Sequence, residues 1–149
     1  MHSNKENKMP TLENKIYEVI SKMQMGTFST ITGEGKPWSR YVMLWGDEDL
    51  TMYLFSRYSA RKVDQVKNNT DVHINIGSSG MEKMTPYIQL AGTASVITDP
   101  EIKKKYWNES MTKMYKGPED PDLALIKVKP ERIEYNDFKS MSGPEIWEK

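Results

Sequence analysis

Apolar side chains recur at two different periods along this chain. Leu12, Ile16, Val19, Ile20 and Met23 return at helical spacing, with Glu13, Lys15, Glu18 and Lys22 on the opposite face. Behind an opening at Pro10 and Thr11, this predicts a first helix that ends near Gly26 and packs its apolar stripe on the core. From Thr27 the pattern becomes β-rich: residues 27–32, 37–45 and 50–56 read as strands joined by turns at 33–36 and 46–49, a three-stranded meander. In the second strand Trp38, Arg40, Val42 and Leu44 share one face, while Tyr41, Met43 and Trp45 share the other. Both faces are largely apolar, so this strand is central or faces a ligand.

Residues 59–69 predict a short helix with Ser59 as N-cap, Val63 and Val66 inward, and Asn68 and Asn69 as its stop. A strand at 72–76, a loop through Gly77, Ser78, Ser79 and Gly80, and a long strand at 86–98, bent or bulged at Gly92, come next. Asp99 as N-cap and Pro100 at the first helical position start a helix that runs to about Lys116. After the acidic turn at 119–122, residues 123–128 and 132–135 form a last strand broken at Lys129 and Pro130. The expected fold is mainly β (α+β): six antiparallel strands with flanking helices, closed into a barrel because closure removes exposed edges.

Composition narrows the function classes. At 149 residues the chain fits one domain, expected over residues 11–149, behind a polar lead-in at 1–10 expected to be disordered and without the apolar run of a secretion signal. Lysine plus arginine equals aspartate plus glutamate at 21 each, so no global positive field attracts nucleic acid or an anionic membrane, and any anion site is local. The triple lysine at 103–105 reads as a solvated helix face. The absence of cysteine excludes disulfides and thiolate chemistry and points to the cytoplasm. His2 lies in the lead-in, so a zinc or haem-iron site, or a Ser-His-Asp triad, would depend on His73 alone, and no metal site is expected.

The segment from Ser56 to Lys62 stands where a strand hands over to a helix, and three anion-binding devices coincide in it. A helix start offers free N–H groups and the positive end of its dipole, Ser56 and Ser59 offer hydroxyls, and Arg61 and Lys62 bring full charge. Cations in a first helical turn meet the dipole unfavourably, at up to ~1 kcal/mol each, and a bound phosphate removes that conflict. Arg40 interrupts an apolar strand and needs an acceptor, either an internal acid or a ligand.

Taken together, Arg40-Tyr41-Val42-Met43-Leu44, Phe55-Ser56 and Ser59-Ala60-Arg61-Lys62 resemble the flavin-binding signature of pyridoxamine-phosphate-oxidase-like proteins. Tyr87 to Gly92, with Gln89 ahead of the glycine, resembles another strand of that family. Trp107 with the segment 117–122 is similar to its general stress protein subgroup. The resemblance implies an FMN-binding split barrel and a homodimer with flavin at the subunit interface, contacted by both chains. Arg61 and Lys62 would hold the phosphate, with Ser59 beside them. Arg40 and the main chain of Val42 and Met43 would lie near the flavin, Phe55 and Ser56 would flank it, and Gln89 would also contact it.

Two departures bear on substrate. Oxidases that make pyridoxal phosphate carry a lysine where Trp45 stands, and their tails carry an arginine and a histidine absent from residues 138–149, so pyridoxine oxidation is disfavoured. Asn136 follows Glu134-Tyr135 where the subgroup often has tryptophan. The expected function is a flavin-dependent oxidoreductase for a small molecule, with no side chain marked as catalytic. The alternative is a non-catalytic module that binds or senses flavin, a deazaflavin or haem.

Overall fold

The computed structural model describes residues 9–78 and 80–149, so most of the expected lead-in and Ser79 lie outside the described residues. Thr11 caps the first helix, α1 (Leu12–Ile20), by accepting from the Asn14 amide, and Ile16 and Ile20 are fully buried beneath it. The helix stops six residues before Gly26, which lies inside β1 (Gln24–Ile31). A Cβ at Gly26 would stand 2.6 Å from the Asn75 carbonyl oxygen and 2.8 Å from Leu44. This glycine therefore marks close strand approach rather than a helix stop.

β1 pairs antiparallel with β2 (Pro37–Gly46), which meets β3 (Met52–Arg57). Helix α2 (Arg61–Asn68) follows, then β4 (Asp71–Gly77) and β5 (Tyr87–Ile97). The predicted long helix is divided into α3 (Pro100–Tyr106) and a 3-10 helix (Glu109–Lys113). Trp107 is extended, its ring edge-on to Phe55, and Asn108 caps the new turn by accepting from the Ser110 amide. Lys103 is also not solvated: it is 2% exposed and donates to the carbonyls of Leu123 (2.8 Å) and Asp120 (3.1 Å), tying α3 to the turn ahead of the last long strand.

That strand, β6 (Leu123–Asn136), is continuous through Pro130. Its ladder with β5 shifts register between Ala91 and Gly92, where Pro130 faces Gly92 and Arg132 faces Ala91, so Glu131 bulges out between them. Proline is accommodated because the regular ladder is already interrupted there. The expected bulge at Gly92 is present, and its hydrogen lies where a Cβ would stand 2.4 Å from the Lys129 carbonyl oxygen.

The sheet order β3-β2-β1-β4-β5-β6 closes through β3–β6 pairing, giving a six-stranded antiparallel barrel. A short seventh strand, β7 (Glu145–Glu148), lies outside it on β6 and was not legible in so polar a tetrapeptide. Phe28, Leu44, Ile74, Leu90 and Ile126 fill the lumen. β3 is buried on both faces except near its end, because the rings of α3 lie on its outer side: Tyr106 stacks on Tyr53 at 4.3 Å. Among the described residues no helix is long and apolar enough to cross a membrane.

Candidate functional site

Alternation along β2 turns Val42 and Leu44 into the lumen and leaves Tyr41, Met43 and Trp45 outside. Trp45 packs on Phe55 at 5.5 Å and on Tyr53 at 5.9 Å, so β2 and β3 present an aromatic wall. That wall, the start of α2 and the 3-10 helix enclose a cavity of about 580 Å³. Val42, Met43, Phe55, Ser56 and Lys62 all line it, which brings together five of the nine residues expected at the site.

The cationic side of the cavity is the first turn of α2. Its N-cap is Ala60, not Ser59, and no side chain caps it; the Val63 amide donates to the Ala60 carbonyl at 3.1 Å, which leaves the Arg61 and Lys62 amides at the helix start. Ser59 instead faces solvent and donates its own amide to Asp122 Oδ1 at 3.1 Å, because the turn is folded back on the acidic segment before β6. Arg61 and Lys62 diverge as consecutive helical residues must: Lys62 faces the cavity, and Arg61 lines a neighbouring groove with Thr32, Gly35 and Asp64. Neither forms an ion pair among the described residues. Burial, and then the Arg40 charge, push the Lys62 ammonium below its usual pKa.

Arg40 is not a cavity wall. Its Nη1 donates to Thr30 Oγ1 (2.8 Å) and the Phe28 carbonyl (3.2 Å), and its Nη2 donates to Gln65 Oε1 (3.1 Å), which also accepts from Thr30 Oγ1 at 2.5 Å. Neutral oxygens from β1 and α2, not an internal acid, hold it within the chain, and it rivets the helix to the barrel. Burial, and then the Arg61 charge, lower the Arg40 pKa, so three cations gather here, none of them ion-paired among the described residues. Thr30 and Gln65 carried no sequence signal, since the β1–β2 register sets the one and the packing of α2 on the barrel sets the other beside Arg40.

Gln89 is separated from the others. It sits on the outer sheet face between Asn75 and Glu134, accepts from Asn136 Nδ2 at 3.3 Å, and shares a pocket of about 120 Å³ with His73 and Arg132. Sequence reasoning missed the other cavity wall altogether: Met23, Met25, Met111, Met114 and Tyr115 come from segments distant in sequence. Burial raises the Tyr115 pKa, keeping its hydroxyl protonated at neutral pH.

A closed six-stranded antiparallel barrel with a seventh strand outside and flanking helices defines a split-barrel protein. The family pattern of pyridoxamine 5'-phosphate oxidase matches residues 12–137, and the chain belongs to that family. General stress protein 26 of Bacillus subtilis is 30% identical over 122 residues, covering 82% of this chain and 86% of that protein. The crystal structure of General Stress Protein 26 from Bacillus anthracis is similar with a TM-score of 0.78 at 30% identity, over 93% of this chain and 98% of the other. At lower identity the fold recurs in a pyridoxamine 5'-phosphate oxidase-related, FMN-binding protein of Nostoc punctiforme (11%, TM-score 0.65, 83% and 79% of the two chains). It recurs also in an F420 reductase (16%, 0.63) and a heme binding protein of Mycobacterium smegmatis (15%, 0.74), likenesses that show the fold alone.

Proposed function

We propose that the protein is a homodimeric flavoprotein that binds FMN in the cavity between β2, β3 and α2 and serves as an oxidoreductase for a small molecule. The observation that carries this reading is the first turn of α2: Arg61 and Lys62 at a helix start that no side chain caps, with no described carboxylate paired to either cation. A phosphate ester removes the mutual repulsion of these groups and gains charge-assisted hydrogen bonds of roughly 1.5–3 kcal/mol each. The aromatic wall of Trp45 and Phe55 suits a flat ring attached to that ester.

When bound, flavin supplies the hydride or electron transfer. The chain's own residues bind, orient and exclude water: Lys62 and Arg61 hold the ester, and Phe55 and the main chain of Val42 and Met43 set the ring plane. The Ser56 hydroxyl, which donates to the Arg57 carbonyl at 3.0 Å, keeps lone pairs and closes the site beneath. No carboxylate or imidazole lines the cavity, so its proton-bearing groups are the Lys62 ammonium and hydroxyls, among them Tyr115, whose pKa burial raises. Trp45 is committed to an aromatic stack, which supports a substrate other than a pyridoxine phosphate.

The dimer reading is supported by the outer face of β1 and β2, where Met25 (58% exposed), Tyr41 (76%) and Met43 (44%) form an apolar stripe at the open side of the cavity. Beside them the Thr27 hydroxyl is buried without a hydrogen-bond partner. A two-fold related copy covers this stripe and presents Gln89 to its partner's site.

Absorbance and fluorescence of the purified protein, before and after added FMN, test the cofactor assignment. Saturable perturbation of the flavin spectrum is expected, and flavin that stays spectrally free at high protein concentration refutes it. Anaerobic mixing of the loaded protein with reduced nicotinamide then separates the roles: bleaching supports an oxidoreductase, and an unchanged spectrum favours the binding module.

A further inference from the structure

Three oxidisable rings run in contact from the cavity wall to α3: Trp45 lines the cavity and stacks on Tyr53 at 5.9 Å, and Tyr53 stacks on Tyr106 at 4.3 Å. Trp45 also meets Tyr106 directly at 6.1 Å. A line of hydroxyls accompanies the rings. The Tyr106 hydroxyl donates to Asp47 Oδ2 at 3.0 Å and stands 3.0 Å from the Tyr53 hydroxyl; because its one proton goes to the carboxylate, Tyr53 is the donor between the two phenols. Tyr53 is 5% exposed, whereas Tyr106 and Asp47 are half-buried and reach solvent. Phenylalanine at both positions would pack α3 on β3; what the hydroxyls add is a path for a proton.

From this we infer that the line is a radical relay: an oxidising equivalent arising in the cavity passes through Trp45 and Tyr53 to Tyr106, whose proton goes to Asp47. Electron transfer falls off steeply with the gap between donor and acceptor, and stacking keeps each gap small. The oxidant in the cavity gains one electron from Trp45, and Trp45 is refilled from Tyr106 by way of Tyr53. The Tyr106 hydroxyl proton moves to the Asp47 carboxylate, leaving a neutral tyrosyl radical. A soluble thiol then returns a hydrogen atom to Tyr106, and Asp47 releases its proton to water. Burial, and then the Tyr106 hydrogen bond, push the Tyr53 pKa well up, so Tyr53 keeps its proton and the radical settles on Tyr106. Lys105 Nζ, 5.2 Å from the Tyr106 ring centroid, disfavours a ring that stays cationic and helps to drive the proton out. The branch through Phe55 to Trp107 does not compete, because a phenyl ring is too hard to oxidise. The relay protects a cavity whose wall includes oxidisable methionines, Met23 and Met111 among them. The inference rests on the flavin reading above for its oxidant, bound FMN excited by blue light; the rings and the proton acceptor belong to the chain itself.

Pulse radiolysis of the ligand-free protein with azidyl radical, a one-electron oxidant of tryptophan, reads the relay without flavin. Conversion of tryptophanyl to tyrosyl absorbance is expected to include a first-order phase independent of protein concentration, which Tyr106→Phe and Trp45→Phe both abolish. Asp47→Asn keeps every ring and removes the proton acceptor, so it should slow that phase about tenfold or more. No such phase in the wild type, or a rate that Tyr106→Phe or Asp47→Asn leaves unchanged, overturns the relay. Under blue light the FMN-loaded wild type should give a tyrosyl signal by electron paramagnetic resonance that Tyr106→Phe loses. FMN that binds without this signal, or with one that Tyr106→Phe keeps, overturns the relay alone; failure to bind FMN overturns the flavin reading and leaves the relay decided by radiolysis.

Discussion

Replacing Arg61 with alanine is the sharpest test of the phosphate site, because the structure makes the ligand-bound and ligand-free proteins respond in opposite directions. In the free protein Arg61 has no carboxylate partner and opposes the charge on Arg40, so its removal costs the fold nothing and relieves that repulsion. With FMN bound, the same change deletes one charge-assisted contact to the phosphate. The general range is roughly 1.5–3 kcal/mol, and the exposed position of Arg61 places it near the lower end, about 1.5 kcal/mol or about tenfold in Kd. Lys62 is better sheltered and faces the cavity, so Lys62→Ala should fall near the upper end, on the order of 3 kcal/mol or a hundredfold. Riboflavin, which has the ring without the phosphate, is the control. Fluorescence titration of both ligands against the two variants, with thermal melts of the ligand-free proteins, reads all of these quantities. Equal losses for FMN and riboflavin, or no loss for either, refute a phosphate at this turn.

Gln65→Leu leaves Arg40 Nη2 and the buried Thr30 hydroxyl without their shared acceptor, and should cost about 1–3 kcal/mol in urea unfolding; an unchanged midpoint would show that the rivet contributes nothing. Tyr41→Arg puts a charge in the exposed stripe and should shift the mass measured by light scattering from two chains to one, whereas a monomeric wild type with flavin still bound would remove the shared-interface picture. His73 is held below its ordinary value of 6.5, first by burial and against the pull of Glu134. The unfolded chain therefore takes up the proton first, so stability falls as pH drops through about 6.5 and levels off below the folded-state value. His73→Gln should flatten that part of the melting curve, and an identical pH profile in both proteins would exclude His73 as its source.

Period and charge along the chain determined a good deal by themselves. The alternation in β2, the strand-to-helix handover at 56–62 and the glycine at 92 each act through neighbours in sequence, so the six strands, the cationic turn and the bulge were all legible. Tertiary structure decided whatever depended on contacts between distant segments. Gly26 reads as a helix stop until Asn75 is set against it, Lys103 as a solvated charge until two carbonyls enclose it, and Ser59 as a cap until Asp122 takes its amide. Arg40 found neutral acceptors for the same reason, because barrel closure and the β1–β2 register choose its neighbours. The methionine wall is the clearest case: three stretches of chain contribute to it, and no local pattern marks residues whose common property is the space they face.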